Sequence, residues 1–402
     1  MGTTQLQDFR LYTIGWVAAL SKELTAAKAM LDENHDQPAN FRQTLSDTNN
    51  YTWGRIGKHN IVIASLPEGK YGLVSAAVTA SFMISSLPHL RFGLMVGIGA
   101  GIPRPGKDIR LGDVVVSTPA GEHPGVVQYD LGKLESDGRF KRVGSLAPPP
   151  RILLTALTNL KATQPLEGSQ VPSILDAMLE RYPLLRSQQH GYFHQGPQND
   201  RLFIASSVHV EDNDAIQRTL AQNTQFYMRL QLMLSWLWSL LLFLCTARWK
   251  PTRSPLGTGP ALSDQTKAAP PQATATETCT HCDPTKEIQR SARLNSHPVV
   301  HYGVIASGNI VVKDSLSRDA ILDRLGPECI CFEMEAAGLM DNFPCLVVRG
   351  ICDYANNHKS DQWQNYAAAT AAAYAKELLV GYIRAEDVQN ADGIEELMGR
   401  GQ

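Results

Sequence analysis

The sequence predicts an α/β protein: a three-layer α/β/α sandwich around a mixed, largely parallel central sheet, interrupted by one long irregular insertion. Short apolar runs alternate with longer Ala- and Leu-rich segments near both ends of the chain, as strands and crossover helices do. Between Phe332 and Tyr354, otherwise apolar sequence is punctuated by Glu333, Glu335, Arg349 and Asp353, charges that are costly inside a fold unless paired or used. From 184 to 298 the alternation stops.

The first strand is expected from Leu11 to Ala19, followed by a helix from about Ser21 to Glu33 that Ser21 would cap, with Glu23 in its first turn. Asn60 to Leu66 reads as a strand, Gly72 to Leu87 as an Ala-rich helix, and Phe92 to Ile98 as a strand running into a glycine turn, Gly97-Ile98-Gly99-Ala100-Gly101. Another strand is expected at Asp113 to Ser117. After the insertion come a strand at Val300 to Ser307, a helix near Asp314 to Leu325, a strand at Cys329 to Phe332, and a helix from Met334. The run Cys345 to Ile351 reads as a buried strand, which puts Asp353 just past its carboxyl end, where open α/β sheets bind ligands. An Ala-rich helix from Trp363 to Ile383 follows.

These elements make one domain, 10–385, with 184–298 as a low-order insertion and 386–402 as a polar tail. Within the insertion, 254–280 is rich in Pro, Thr, Ser, Ala and Gly, the composition of a disordered linker. The segment 228–245 is strongly apolar, but its uninterrupted part, Leu232 to Cys245, falls short of the ~20 residues that a membrane span needs. It is expected to be a docked or poorly ordered segment, and membrane association is not expected. A hydrophobic share of 43% supports a sizeable core. A net charge of −2 offers no basic field for nucleic acid. The amino terminus is polar, and four of the seven cysteines lie in strand-like sequence, so reduced thiols in the cytoplasm are expected.

Five ordered blocks carry a resemblance: Val96 to Pro103 (VGIGAGIP), Leu111 to Ser117 (LGDVVVS), Ile305 to Asn309 (IASGN), Phe332 to Gly338 (FEMEAAG) and Val347 to Asp353 (VVRGICD). With them the chain resembles the purine nucleoside phosphorylase and nucleosidase superfamily, in particular its fungal nucleosidase-like branch. The resemblance runs from Tyr12 to about Leu146 and from His301 to about Ile383. It implies a nucleoside phosphorylase-like fold, a homo-oligomer, no cofactor, and a small purine nucleoside or nucleotide as partner.

Cleaving a ribosyl bond to a purine passes through an oxocarbenium-like state, so the leaving base needs a proton and the sugar's positive charge needs stabilising. By resemblance Asp353 is the general acid, with Arg349 orienting it; a buried Asp–Arg ion pair is the plainer alternative. Glu335 matches the carboxylate that accepts both sugar hydroxyls. Met334 matches the residue beneath the ribose, although core packing also explains a methionine. Glu333 either lines the site or caps a helix. Cys352 stands where nucleosidases often carry serine.

Glu23 matches the nucleosidase glutamate that holds the attacking water, against the alternative of a solvated first-turn acid. Phosphorylases place an arginine near that turn, and an arginine and a serine around the glycine loop, to hold phosphate; here the loop is apolar around Gly97, Gly99 and Gly101. Those glycines could point amides at an anion or a sugar. Ser307 and Asn309 are further substrate-side candidates. Lys70, Arg104 and Lys313 are candidate phosphate partners, each also explicable as a surface charge.

Cys279, Cys282, His297 and His301 match a C-x2-C-x14-H-x3-H zinc pattern. Pro298 and Val299-Val300 make the histidine segment the start of a strand rather than a helix, so no metal is expected. The expectation is therefore an N-ribosyl hydrolase acting on adenosine or ATP. A phosphate-using phosphorylase and a catalytically weak nucleotide-binding module are the alternatives.

Overall fold

The structure, a computed structural model, describes residues 4–210 and 279–396 apart from positions 137, 188, 280 and 395. The apolar segment 228–245 and most of the linker 254–280 lie outside them. Contacts divide the chain into two units, Met1–Ser207 with Thr285–Gln402, and Val208–Pro284. The first unit takes in more than the sequence suggested, because parts of 184–298 are bonded into it. The Tyr192 hydroxyl donates to the Lys22 carbonyl at 3.0 Å, and Arg293 pairs with buried Asp113 at 2.6 Å.

Its sheet is built from β1 (Thr4–Gln5), β2 (Tyr12–Ala18), β3 (Glu33–Asp36), β4 (Tyr51–Ile56), β5 (His59–Ser65), β6 (Phe92–Gly101), β7 (Val114–Ser117), β8 (Val126–Gln128), β11 (Val300–Ser307), β12 (Cys329–Glu333) and β13 (Cys345–Asp353). A separate antiparallel hairpin joins β9 (Gly132–Leu134) to β10 (Phe140–Arg142). The path β1-β3-β4-β5-β2-β6-β12-β11-β7-β13 is mostly parallel, and β13 returns to pair with β6. Strands β6, β12, β11, β7 and β13 thus close on themselves as a small barrel, bringing the ends of β6, β12 and β13 together.

Strand alternation sends Ile61 and Ile63 to one buried face and Val62 and Ala64 to the other. On the first face lie α1 (Ser21–Met30), α3 (Arg151–Glu167), α4 (Val171–Arg181) and α6 (Gln364–Tyr382). On the second lies α2 (Leu73–Ser86). A third cluster packs α5 (Ser315–Leu325) against Val304 and Ala306, and α7 (Ala385–Asn390) falls where a polar tail was expected. The three-layer mixed α/β architecture read from the sequence is the one observed. Helix α6 comes so close to β13 that a Cβ on Gly350 would lie 1.8 Å from the Ala367 carbonyl oxygen; the alanines of α6 and this glycine are one packing device.

Several local readings are corrected. Ser21 is the first residue of α1, and Leu20 precedes it in extended conformation as the N-cap. Gly97, Gly99 and Gly101 lie inside β6 rather than in a turn. No helix starts at Met334: the chain makes a single 3-10 turn, Ala336–Gly338, because a Cβ on Gly338 would stand 2.1 Å from the Leu73 carbonyl oxygen and α2 fills that space. Asp353 is the last residue of β13, and the register against β6 shifts between Ile351 and Asp353. This bulge leaves Cys352 unpaired and re-aims the aspartate, as bulges beside active sites do. Among the described residues no helix is long and apolar enough to cross a membrane.

Candidate active site

A cavity of about 410 Å³ opens at the ends of β6, β12 and β13. It collects Glu23, Gly99, Glu333, Met334, Glu335, Cys352, Asp353 and Lys313 from the residues singled out in the sequence. To these the structure adds Tyr71, Phe332, Lys359, Asp361 and Gln364.

Glu23 stands in the first turn of α1 and is almost fully buried. One oxygen, Oε2, accepts the Ala19 and Leu20 amides at 2.7 and 3.0 Å; Oε1 accepts the Ile98 amide from β6 at 2.8 Å. A carboxylate has about four acceptor positions, so one is left for a ligand or water in the cavity. Burial raises its pKa, while Arg349 and the three amides pull the other way. Gly97 makes room for this arrangement: a Cβ there would lie 2.3 Å from Glu23 Oε1 and 2.5 Å from Arg349 Nη1.

Arg349 has no exposed surface. It donates to Glu333, lies 3.5 Å from Glu335 and donates to the Ile98 carbonyl at 3.4 Å. Its expected partner Asp353 is instead paired with Lys359, whose Nζ lies 2.9 Å from Oδ2. Arg349 therefore organises the glutamates. Its own pKa is raised: burial opposes the charge, and Glu333, Glu335 and Glu23 outweigh it.

Glu333 does both things the sequence left open. It lines the cavity, and it accepts the amides of Glu335 and Ala336 at about 3.0 Å, capping the 3-10 turn. Glu335 accepts the Gly72 amide at the start of α2 at 3.3 Å, where the helix dipole favours a negative charge. Burial nevertheless drives Glu335 up to about 7, with Arg349 lowering it and Glu333 and Glu23 adding repulsion.

Asp353 Oδ1 is occupied by the Ala355 amide at 2.9 Å, which leaves Oδ2, near the Cys352 thiol at 3.2 Å and Lys359, as the adjustable oxygen. Burial and Asp353 push the Cys352 thiol well up, so it is a neutral S–H donor. Lys359 is held protonated; burial works against its charge and Asp353 prevails.

Other sequence candidates sit elsewhere. Ser307 is fully buried, and its hydroxyl accepts the Ala337 amide at 2.9 Å. Asn309 accepts the Leu73 amide at 3.1 Å, fixing the start of α2. Gly101 is packed against Ile109 and Ile351. Lys70 lines a separate cavity with Asn49 and Val74, and Arg104 a third beside Asp319 and Gly326. His301 lies 2.9 Å from Asp113, a placement the zinc pattern did not anticipate. Lys359 and Tyr71 were missed; their loops have no periodicity, and only the nearness of Lys359 to the VVRGICD block and of Tyr71 to Lys70 could have flagged them.

The fold and the cavity define the class first: a mixed α/β protein whose buried carboxylates share one cavity at the strand ends. No protein-family model matches the chain. It is 38% identical over 368 residues to a nucleotide-binding leucine-rich repeat (NLR)-like protein of Hyaloscypha variabilis, covering 92% of this chain and 29% of that protein. Over 93 residues, 22% of this chain and 18% of the relative, it is 32% identical to the ATP nucleosidase Cap17 of Escherichia coli. The chain thus spans less than a third of the length of the curated relatives it matches. Among solved structures it is similar to the 5'-methylthioadenosine/S-adenosylhomocysteine nucleosidase of Neisseria meningitidis (TM-score 0.47, 15% identity, 92% of this chain and 99% of that one). A similar likeness is found to the futalosine hydrolase of Helicobacter pylori (TM-score 0.47, 14% identity, 92% and 99%). The partial match to an ATP nucleosidase accords with the resemblance carried by the five sequence blocks, to the nucleosidase-like branch of the purine nucleoside phosphorylase and nucleosidase superfamily.

Proposed function

We propose that this chain is a purine nucleosidase that hydrolyses the N-glycosidic bond of a purine nucleoside or nucleotide, adenosine or ATP, giving the free base and the ribose moiety. The observation that carries the reading is Glu23, held by three backbone amides with one acceptor position to spare, in the same cavity as Glu335 and Asp353. Its raised pKa suits a group that takes a proton from attacking water. Asp353 Oδ2 would relay a proton to the departing base, drawn from the Lys359 ammonium paired with it. Glu335 would accept the sugar hydroxyls and, as carboxylate, stabilise the developing positive charge. Arg349 acts as a positioning residue for Glu333 and Glu335.

Electrostatics favours water over phosphate as the nucleophile. Five carboxylates line the cavity, at Glu23, Glu333, Glu335, Asp353 and Asp361. Of the two lysines there, Lys359 is engaged by Asp353. A phosphate dianion beside Glu23 would be repelled. Lys313 remains as a partner for the 5′-phosphates of a nucleotide, and the partial match to an ATP nucleosidase supports including ATP among the substrates.

The test is product analysis with adenosine, inosine, guanosine and ATP, each with and without inorganic phosphate. Base release in phosphate-free buffer, with ribose or its 5′-phosphorylated form as co-product, is expected. Strict dependence on phosphate with ribose-1-phosphate as product would establish the phosphorylase alternative. The match to an NLR-like protein keeps one further reading in view, a nucleotide-binding module of a larger protein; saturable ATP binding without base release would favour it.

A further inference from the structure

We propose that His209, Cys279 and Cys282 form a structural zinc site that ties together the two chain segments flanking 211–278. The Cys-x2-Cys pair finds its histidine on the amino-terminal side, rather than at His297 or His301 as the sequence pattern suggested. His209 Nδ1 lies 3.3 Å from Cys282 Sγ and 3.6 Å from Cys279 Sγ. A tetrahedral zinc with bonds of about 2.3 Å to sulfur and about 2.0 Å to nitrogen sets the sulfur-to-nitrogen edge at about 3.5 Å. The three ligand atoms also lie within 4.8 Å of one another.

Hydrogen bonding accounts for this geometry less well. Nδ1 of a neutral imidazole has a single lone pair when it is not itself the donor, so it cannot accept from both thiols, whereas a cation between the three atoms satisfies all of them. Both sulfurs are on buried residues, although their neighbours His281 and Asp283 are exposed. The Val210 amide points to Cys282 Sγ at 3.5 Å, the outer contact by which a backbone N–H steadies a metal-bound thiolate. Cys279 adopts φ +67°, a left-handed conformation uncommon for a residue with a side chain and one that turns the Cys-x2-Cys segment back on itself. The Cys282 amide closes that turn on the Cys279 carbonyl at 3.2 Å.

A hard, oxygen-preferring ion would not choose two thiolates and an imidazole, and zinc takes such sets with a fourth ligand. Binding would release the thiol protons, and the ion would fasten His209 to Cys279, 70 positions away. The proposal uses residues of the second unit alone, so it does not rest on the nucleosidase reading.

The test is metal analysis of the full chain purified without added metal or chelator. About one zinc per chain is expected in the wild type, and less than about a tenth of that in a Cys279→Ser/Cys282→Ser variant. Cobalt exchanged into the wild type should give thiolate-to-metal charge-transfer bands and the intense visible bands of tetrahedral coordination; His209→Ala, which keeps both thiols, should alter the visible bands. If the cysteine variant does not fold, the wild-type cobalt spectrum and the His209→Ala comparison decide. A wild type without metal that holds added zinc no better than the cysteine variant would overturn the proposal, as would isolation of a Cys279–Cys282 disulfide.

Discussion

Two groups of buried charged residues in the first unit differ in how completely their acids are satisfied. At Asp113 the carboxylate accepts the Arg110 and Val299 amides at 2.8 and 2.9 Å and both Arg293 terminal nitrogens at 2.6 and 2.7 Å, with His301 Nε2 at 2.9 Å. Burial alone would raise the pKa of Asp113, but Arg293 and His301 more than offset it and the group is lowered. At the cavity, Glu23 and Glu335 are as deeply buried yet their pKa values are raised. An acid whose acceptor positions are filled by cations is part of the scaffold; an acid held by backbone amides, with a position to spare beside a cavity, is available for chemistry.

The largest effect that would sharpen this contrast is on turnover. Asp353→Asn removes the proposed proton donor while keeping the shape, so kcat should fall by ~10²-fold or more, with the circular dichroism spectrum and Tm nearly unchanged. Near-normal turnover would remove Asp353 from the mechanism. Asp113→Asn should do the reverse. With Arg293 left uncompensated, stability should drop by about 3 kcal/mol, read by urea denaturation, while kcat of the folded fraction stays within about twofold. The lowered pKa of Asp113 adds stability that is present above the carboxylate's unfolded value and lost as pH falls through its folded value. The acid-side loss of stability should therefore shrink in Asp113→Asn.

A smaller effect concerns pH. In the proposed mechanism Glu335 acts as a carboxylate, and burial drives it up to about 7, so wild-type kcat/KM should rise with pH through that region and fall on acidification. Glu335→Gln should lower kcat/KM and flatten that limb. An unchanged limb in the variant would assign it to another group. The smallest effect is on Gly97→Ala, where the added Cβ would press on Glu23 and Arg349. kcat/KM should fall by about tenfold, and a fully active variant would show that this packing does not position Glu23.

Much of this was legible in the sequence where local and global signals agree. Val300–Ser307 is a strand because its residues are apolar and it feeds a glycine, and Asp314 caps the next helix by accepting the Ser317 amide. Glu23, Glu335 and Asp353 could be brought to one cavity because each closes a strand or opens a helix at the same end of the sheet. Arg349 was given the wrong partner because sequence nearness was taken for spatial nearness. Four residues along a strand span about 13 Å, whereas Glu333 and Glu335 arrive from the end of β12, on the other side of β6. The expected helix at Met334 failed because Glu333 caps a single turn and α2 occupies the space beyond. Strands β3 and β4 were not read, since Glu33–Asp36 is polar and gains its place by pairing with Tyr51–Ile56 and Thr4–Gln5.

The central claim is that Glu23 directs water, rather than phosphate, to the sugar. It is tested most directly by running the reaction in ¹⁸O-labelled water with unlabelled inorganic phosphate present, with the wild type and with Glu23→Gln. Label is expected on the anomeric oxygen of the ribose product in the wild type, and Glu23→Gln should still bind the substrate but release base at least ~10²-fold more slowly. Unlabelled product, or a Glu23→Gln variant that hydrolyses normally, would contradict it.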